Sequence, residues 1–144
     1  MIPLRPNTTG KNIQCILLLL AWASALTGLI CGCAFDLVQV KQMPVTLAQV
    51  GAVPKTFVLN EPAAAHIGTG FPVNLKANTK WVEIGVTQYG IAYTSGDQLL
   101  TVEASNIHEA ALVMRDAEVS GFYLLVEKKF CPATKKTILN LTQK

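Results

Sequence analysis

Hydrophobic positions fall into two regimes along this chain. Residues 15 to 35 run 21 positions without a charge, and beyond them the apolar residues come in short runs separated by Gly, Pro, Asn and Asp. The first regime suits a single helix; the second suits short strands joined by turns. "TFVLN" (56–60) and "PVNLK" (72–76) are two such runs. In "KWVEIGV", Val82, Ile84 and Val86 alternate with Trp81, Glu83 and Gly85, the period of a half-buried strand, with the three aliphatic residues as its apolar set. "GIAYTSGDQLLTVE" predicts a hairpin of strands 91–94 and 99–103 about Gly96-Asp97, because Gly at the first central position accepts a type II′ turn. "GFYLLVEKKF" is nearly continuous in apolar, aromatic and β-branched residues and predicts a central strand covered on both faces. "TILNL" predicts the last strand.

Two stretches need more argument. "SNIHEAALVMRDAE" carries Asn106 and Glu109 at capping-box spacing, which would start a helix. The same residues also read as one arm of a hairpin turning at Arg115-Asp116-Ala117-Glu118, and the apolar run feeding directly into "GFYLLV" favours that hairpin. "EPAAAHIGTGFP" (61–72), with two prolines and two glycines, reads as a loop. Its Gly68-Thr69-Gly70 completes no phosphate-binding motif. The expected fold is therefore mainly β, a small barrel or sandwich with an SH3-like barrel as first choice, behind an N-terminal helix. Residues 1–32 form an export signal or anchor, 33–53 a tether able to add an edge strand, and 54–144 the β-rich domain.

Charge narrows the partners. All nine acidic residues lie at or after Asp36, where ten Lys or Arg face them, a net of +1. A nucleic-acid-binding domain needs clustered basic residues, so none is expected to bind here. Four lysines do sit within "KKFCPATKK", where a solvated strand edge is the simpler reading than contact with an anionic polymer.

The uncharged run follows Arg5 and Lys11 and ends in small residues, the three-part pattern of an export signal. Its length also satisfies a bilayer span, with the preceding basic residues favouring a cytoplasmic N-terminus. At its end, Ile30-Cys31-Gly32-Cys33 resembles the lipobox of bacterial lipoprotein precursors. The resemblance implies that Cys33 receives a diacylglyceryl group, that the signal is cut after Gly32, and that the new terminal amine is acylated. It covers about 30 residues and departs from the family at Cys31, where Ala, Ser or Thr is usual. Acyl chains contribute about 0.8 kcal/mol per buried methylene, so three chains make a durable anchor. Ala34 after the acceptor implies outer-membrane delivery. Two alternatives stand beside it: cleavage after Ala34 releases a soluble protein beginning at Phe35, and no cleavage leaves a single-pass inner-membrane anchor. The C-terminal half also resembles small uncharacterised bacterial envelope proteins, a likeness that implies no activity.

Of the four cysteines, Cys15 and Cys31 leave with a cleaved signal and acylation consumes Cys33, so Cys131 remains alone. Without acylation, a Cys33 to Cys131 disulfide is the competing arrangement in an oxidising compartment. His66 and His108 lack metal-ligand spacing, so no metal or cofactor is expected. His108-Glu109 cannot act as base and orienter on a strand, because neighbours point to opposite faces. A hydrolase would require a concave site that joins His66 or His108 to some other carboxylate. Trp81 and Tyr93 are the candidate partner contacts, with a core role as the alternative for both. The expected protein is thus a non-catalytic envelope lipoprotein, held by acyl chains and serving other envelope proteins as a structural or adaptor component. The alternative is a secreted or periplasmic disulfide-bonded domain that binds a small ligand or polymer.

Overall fold

A computed structural model describes residues 39–144, which belong to one compact unit, Leu37–Lys144. Among them the secondary structure is all β: β1 (Met43–Pro44), β2 (Thr56–Leu59), β3 (Ala63–His66), β4 (Pro72–Leu75), β5 (Lys80–Thr87), β6 (Gly90–Ser95), β7 (Thr101–Glu103), β8 (Ile107–Arg115), β9 (Glu118–Leu124), β10 (Lys129–Pro132) and β11 (Leu141–Gln143). Nine of these form one antiparallel sheet in the order β1-β10-β9-β8-β6-β5-β2-β11, with β7 paired to β8 off that path, and β3-β4 make a separate hairpin. The end strands β1 and β11 are not paired to each other, so hydrogen bonding leaves the sheet open, without the closure that an SH3-like barrel requires.

The sheet buries both faces, which explains the long apolar runs of β8 and β9. Ala110, Leu112 and Met114 point into a core with Phe57, Leu59, Trp81, Tyr93, Phe122 and Leu124. Ala111 and Val113 point the other way, to Ala92, Tyr123 and Phe130. Hairpin β3-β4 contributes Ala65, Val73 and Leu75 to the first core. The second is covered by Met43, Val45 and Leu47 from the segment expected to be a tether. That segment is a strap: Met43 pairs with Phe130, and Ala48 exchanges two backbone hydrogen bonds with Val86 at 2.9 and 3.0 Å. Gly85 makes the crossing feasible, since a Cβ there would come within 2.6 Å of the Ala48 carbonyl oxygen and the Leu47 side chain.

Hairpin β8-β9 forms as expected, turning at Asp116, whose φ of 57° lies in the left-handed region that Asp tolerates. The edge strand expected of residues 33–53 is β1. Other expectations are corrected. On β5 the buried residues are Trp81, Glu83, Gly85 and Thr87, Trp81 in the first core and Gly85 under the strap, whereas Val82 and Ile84 are half-buried and Val86 is exposed. Burial of both sheet faces removes the contrast on which a one-sided reading depends, and a register shift between Glu83 and Gly85 breaks strict alternation. No hairpin joins 91–94 to 99–103. β6 pairs with β5 and β8, while β7 pairs with the first half of β8. The Gly96-Asp97 turn is instead a departure point: the Asp97 carboxylate accepts the Lys80 N–H, and the Gln98 amide bonds Lys76 N and Asn74 O. The supposed loop 61–72 contains β3, and "GFYLLVEKKF" is two strands, because Leu125–Lys128 turns with Lys128 at φ 54° and its N–H on the Leu124 carbonyl. "TILNL" makes one bridge from Ile138 to Glu118 before β11 begins at Leu141.

Candidate functional site

Ile30, Cys31, Gly32 and Cys33, the lipobox-like residues, lie outside the described residues. Trp81 and Tyr93, the candidate contact pair, are core residues: Trp81 has 0% exposure and Tyr93 7%. The Phe57 ring stacks on Trp81 at 6.2 Å and meets Tyr93 edge-on at 5.0 Å, and the Trp81 indole N–H donates to Thr79 Oγ1 at 2.8 Å. Trp81 presents no surface to a partner in this arrangement, whereas Tyr93 also borders a cavity of about 180 Å³ with Phe57 and Met114. Burial, helped by the Glu83 carboxylate, raises the Tyr93 hydroxyl pKa above its ordinary value.

Cys131 is a free thiol with 0% exposure. Burial first, and the Glu127 carboxylate second, push its pKa up to about 11. It is therefore a poor nucleophile and a poor disulfide partner.

The histidines differ. His66 uses its backbone carbonyl, which accepts from Thr134 N and Oγ1. His108 is joined to an acid. Near the start of β8 its Nδ1 lies 2.5 Å from Glu127 Oε1, in the β9-β10 turn. The side chains are 14% and 29% exposed, so both are largely shielded from water. The hydrogen bond from His108 is the leading cause that lowers the Glu127 pKa below its ordinary value; a backbone hydrogen bond and Lys129 add to it, against desolvation. Glu127 Oε2 is buried and has no hydrogen-bond partner within the described protein.

The carboxylate that serves His108 is thus Glu127, not the adjacent Glu109, which is exposed. Its signal in the sequence is indirect. Ala110 faces Leu124 across the β8-β9 ladder, and running that register outward brings Val126 opposite His108 and Glu127 next to it.

A cavity of about 440 Å³ lies beside His108, lined by Gln39, Val40, Gln42, Ala104, Ser105, Asn106 and the imidazole itself. A second, of about 690 Å³, is bounded by the strap, the β5-β6 turn and Glu127, Lys128 and Lys129. Among the described residues no group of three His, Cys, Asp or Glu side chains could hold a metal, and no helix is long and apolar enough to cross a membrane. Comparison with protein-family models, curated proteins and solved structures finds no match.

Proposed function

We propose that the chain is a bacterial envelope lipoprotein, acylated on Cys33 and carrying a non-catalytic β domain as a structural or adaptor component of an envelope assembly. The observation that carries this reading is Ile30-Cys31-Gly32-Cys33 at the end of an uncharged run, directly before a compact unit that begins at Leu37. Met43, where the strap joins the sheet, lies ten positions after Cys33, and an extended chain spans at most about 3.6 Å per position, or ~36 Å in all. The domain is thereby kept close to the bilayer that holds the acyl chains. Ala34 supports delivery to the outer membrane. The domain itself is best read as a small sandwich-like body, the open sheet being covered on one face by β3-β4 and on the other by the strap.

A lone thiol is tolerated in an oxidising compartment when it is buried, and Cys131 is buried, which supports the acylated reading. Detergent-phase partitioning and incorporation of labelled palmitate test the reading. Both are expected for the native chain, and both are lost with Cys33→Ala. Equal aqueous partitioning of the two would contradict it.

One observation favours a second reading, a hydrolase: His108 meets a carboxylate beside a cavity that contains Ser105. In that reading His108 Nε2 takes the proton of an attacking hydroxyl while Glu127 orients the ring. Hydrolysis of a simple aryl ester that is abolished by His108→Ala would favour it over the non-catalytic reading.

A further inference from the structure

The four lysines of "KKFCPATKK" do not share one surface role. Lys136, beyond β10, is paired with Glu118 at 3.2 Å. Lys128 and Lys129 are exposed in and just after the β9-β10 turn, and among the described residues neither is in an ion pair. The acid between Val126 and Lys128 does not offset them at the surface, because Glu127 turns its carboxylate inward to His108, with Oε2 buried. Val126 itself is 78% exposed. The turn thus projects one aliphatic side chain and two free cations. That combination suits a bilayer interface with anionic headgroups, where apolar groups enter the acyl boundary and lysines stay at headgroup level.

The place where the chain enters the domain points the same way. Gln39, the first described residue, lines a cavity together with Asn106 and His108, so the segment arriving from Cys33 reaches the domain beside the partner of Glu127. Gln39 lies six positions after Cys33, a reach of at most ~22 Å at about 3.6 Å per position. We propose that the β9-β10 turn docks on the membrane, with the Val126 side chain in the interface and Lys128 and Lys129 on anionic headgroups. The proposal rests on the acyl-anchor reading and deepens it by assigning the part of the domain that faces the lipid. Ile107 is also exposed, but Glu103 faces it across the β7-β8 ladder and the exposed Glu109 follows two positions on, so the contact does not extend to that side. At the opposite end of the β8-β9 hairpin, Asp116 occupies the turn and Glu118 holds Lys136, beside the exposed Ile138.

Flotation and tryptophan quenching test it on the membrane-extracted protein, reconstituted in vesicles of phosphatidylglycerol and acyl-brominated phosphatidylcholine. Flotation reports the anchor, and quenching reports the turn. Val126→Trp is compared with Ile138→Trp, a site 66% exposed at the far end of the hairpin, each after subtraction of the unaltered chain's signal. Val126→Trp is expected to be quenched and Ile138→Trp is not. Adding Lys128→Asn, which tolerates the positive φ of 54° at that position, and Lys129→Gln lowers the docked-to-undocked ratio about thirtyfold, at about fivefold per lysine, and the quenching with it. Flotation of both variants with equal quenching would overturn the docked turn and leave the anchor standing. Chains that stay behind in the dense fraction would overturn both.

Discussion

Trp81 sits where three strands meet: its ring stacks on Phe57 of β2 and its neighbour on β6 is Ser95, while its indole N–H is satisfied by Thr79. Replacing it removes a fully buried aromatic and leaves a cavity, so Trp81→Ala is expected to cost about 3–5 kcal/mol in denaturant unfolding. A surface contact residue would cost far less and would instead weaken partner binding. Cys131 gives a second prediction. Its folded pKa is raised from 9.0 to about 11, so the unfolded chain loses the proton first as pH rises. Stability from this thiol is therefore intact below pH 9 and falls by roughly 2–3 kcal/mol towards pH 11. Unfolding midpoints across that window, set against Cys131→Ala, should separate the two proteins; parallel curves would deny the burial. Glu127 works in the opposite sense. Its folded pKa is lowered, so its contribution is present above the ordinary carboxylate value of 4.5 and disappears as pH falls through the lower folded value. The stability difference from Glu127→Gln should shrink as pH falls below 4.5. At this scale the sequence identified Cys131 as the cysteine left over and named His108, with His66, only as a histidine that would need a carboxylate, yet hid Glu127, because 19 positions separate the pair and only the strand register joins them.

The strap is the element whose role was least legible. "QVKQMPVTLAQV" has no helical period, and the alternation of Met43, Val45 and Leu47 with Pro44, Thr46 and Ala48 is too short to tell a covering strap from a plain edge strand. Their burial comes from the far face of a sheet whose existence the strap's sequence does not encode. Gly85 is the reciprocal mark on β5: the glycine is required by the chain that crosses it. Gly85→Val is expected to lift residues 43–48 off the sheet, which amide exchange would read as lost protection at Ala48 while β8 and β9 stay protected. Unchanged protection at Ala48 would deny the close approach. Hairpin β8-β9 was legible because local turn chemistry and a two-sided apolar run agree. The pairing of β7 with β8 was not, because it depends on Gln98 and Asp97 reaching across to β4 and β5. Such long-range side-chain contacts leave no periodic trace.

As a whole molecule, the described domain is an open sheet with its edges kept modest. β1 is two residues long and includes Pro44, which lacks an N–H, and β11 is three residues long. Short edges of this kind resist pairing with other copies. The mainly β class follows from short apolar runs and turn residues. The open order of strands does not, since nothing local distinguishes a sheet that closes from one whose ends are left apart. The proposed attachment to the envelope rests on the residues before this domain, and intact mass of the membrane-extracted protein tests it most directly. A species beginning at Cys33 with added mass equal to its acyl chains, absent in Cys33→Ala, is the predicted result; an unmodified chain beginning at Phe35, or the full-length chain, would contradict it.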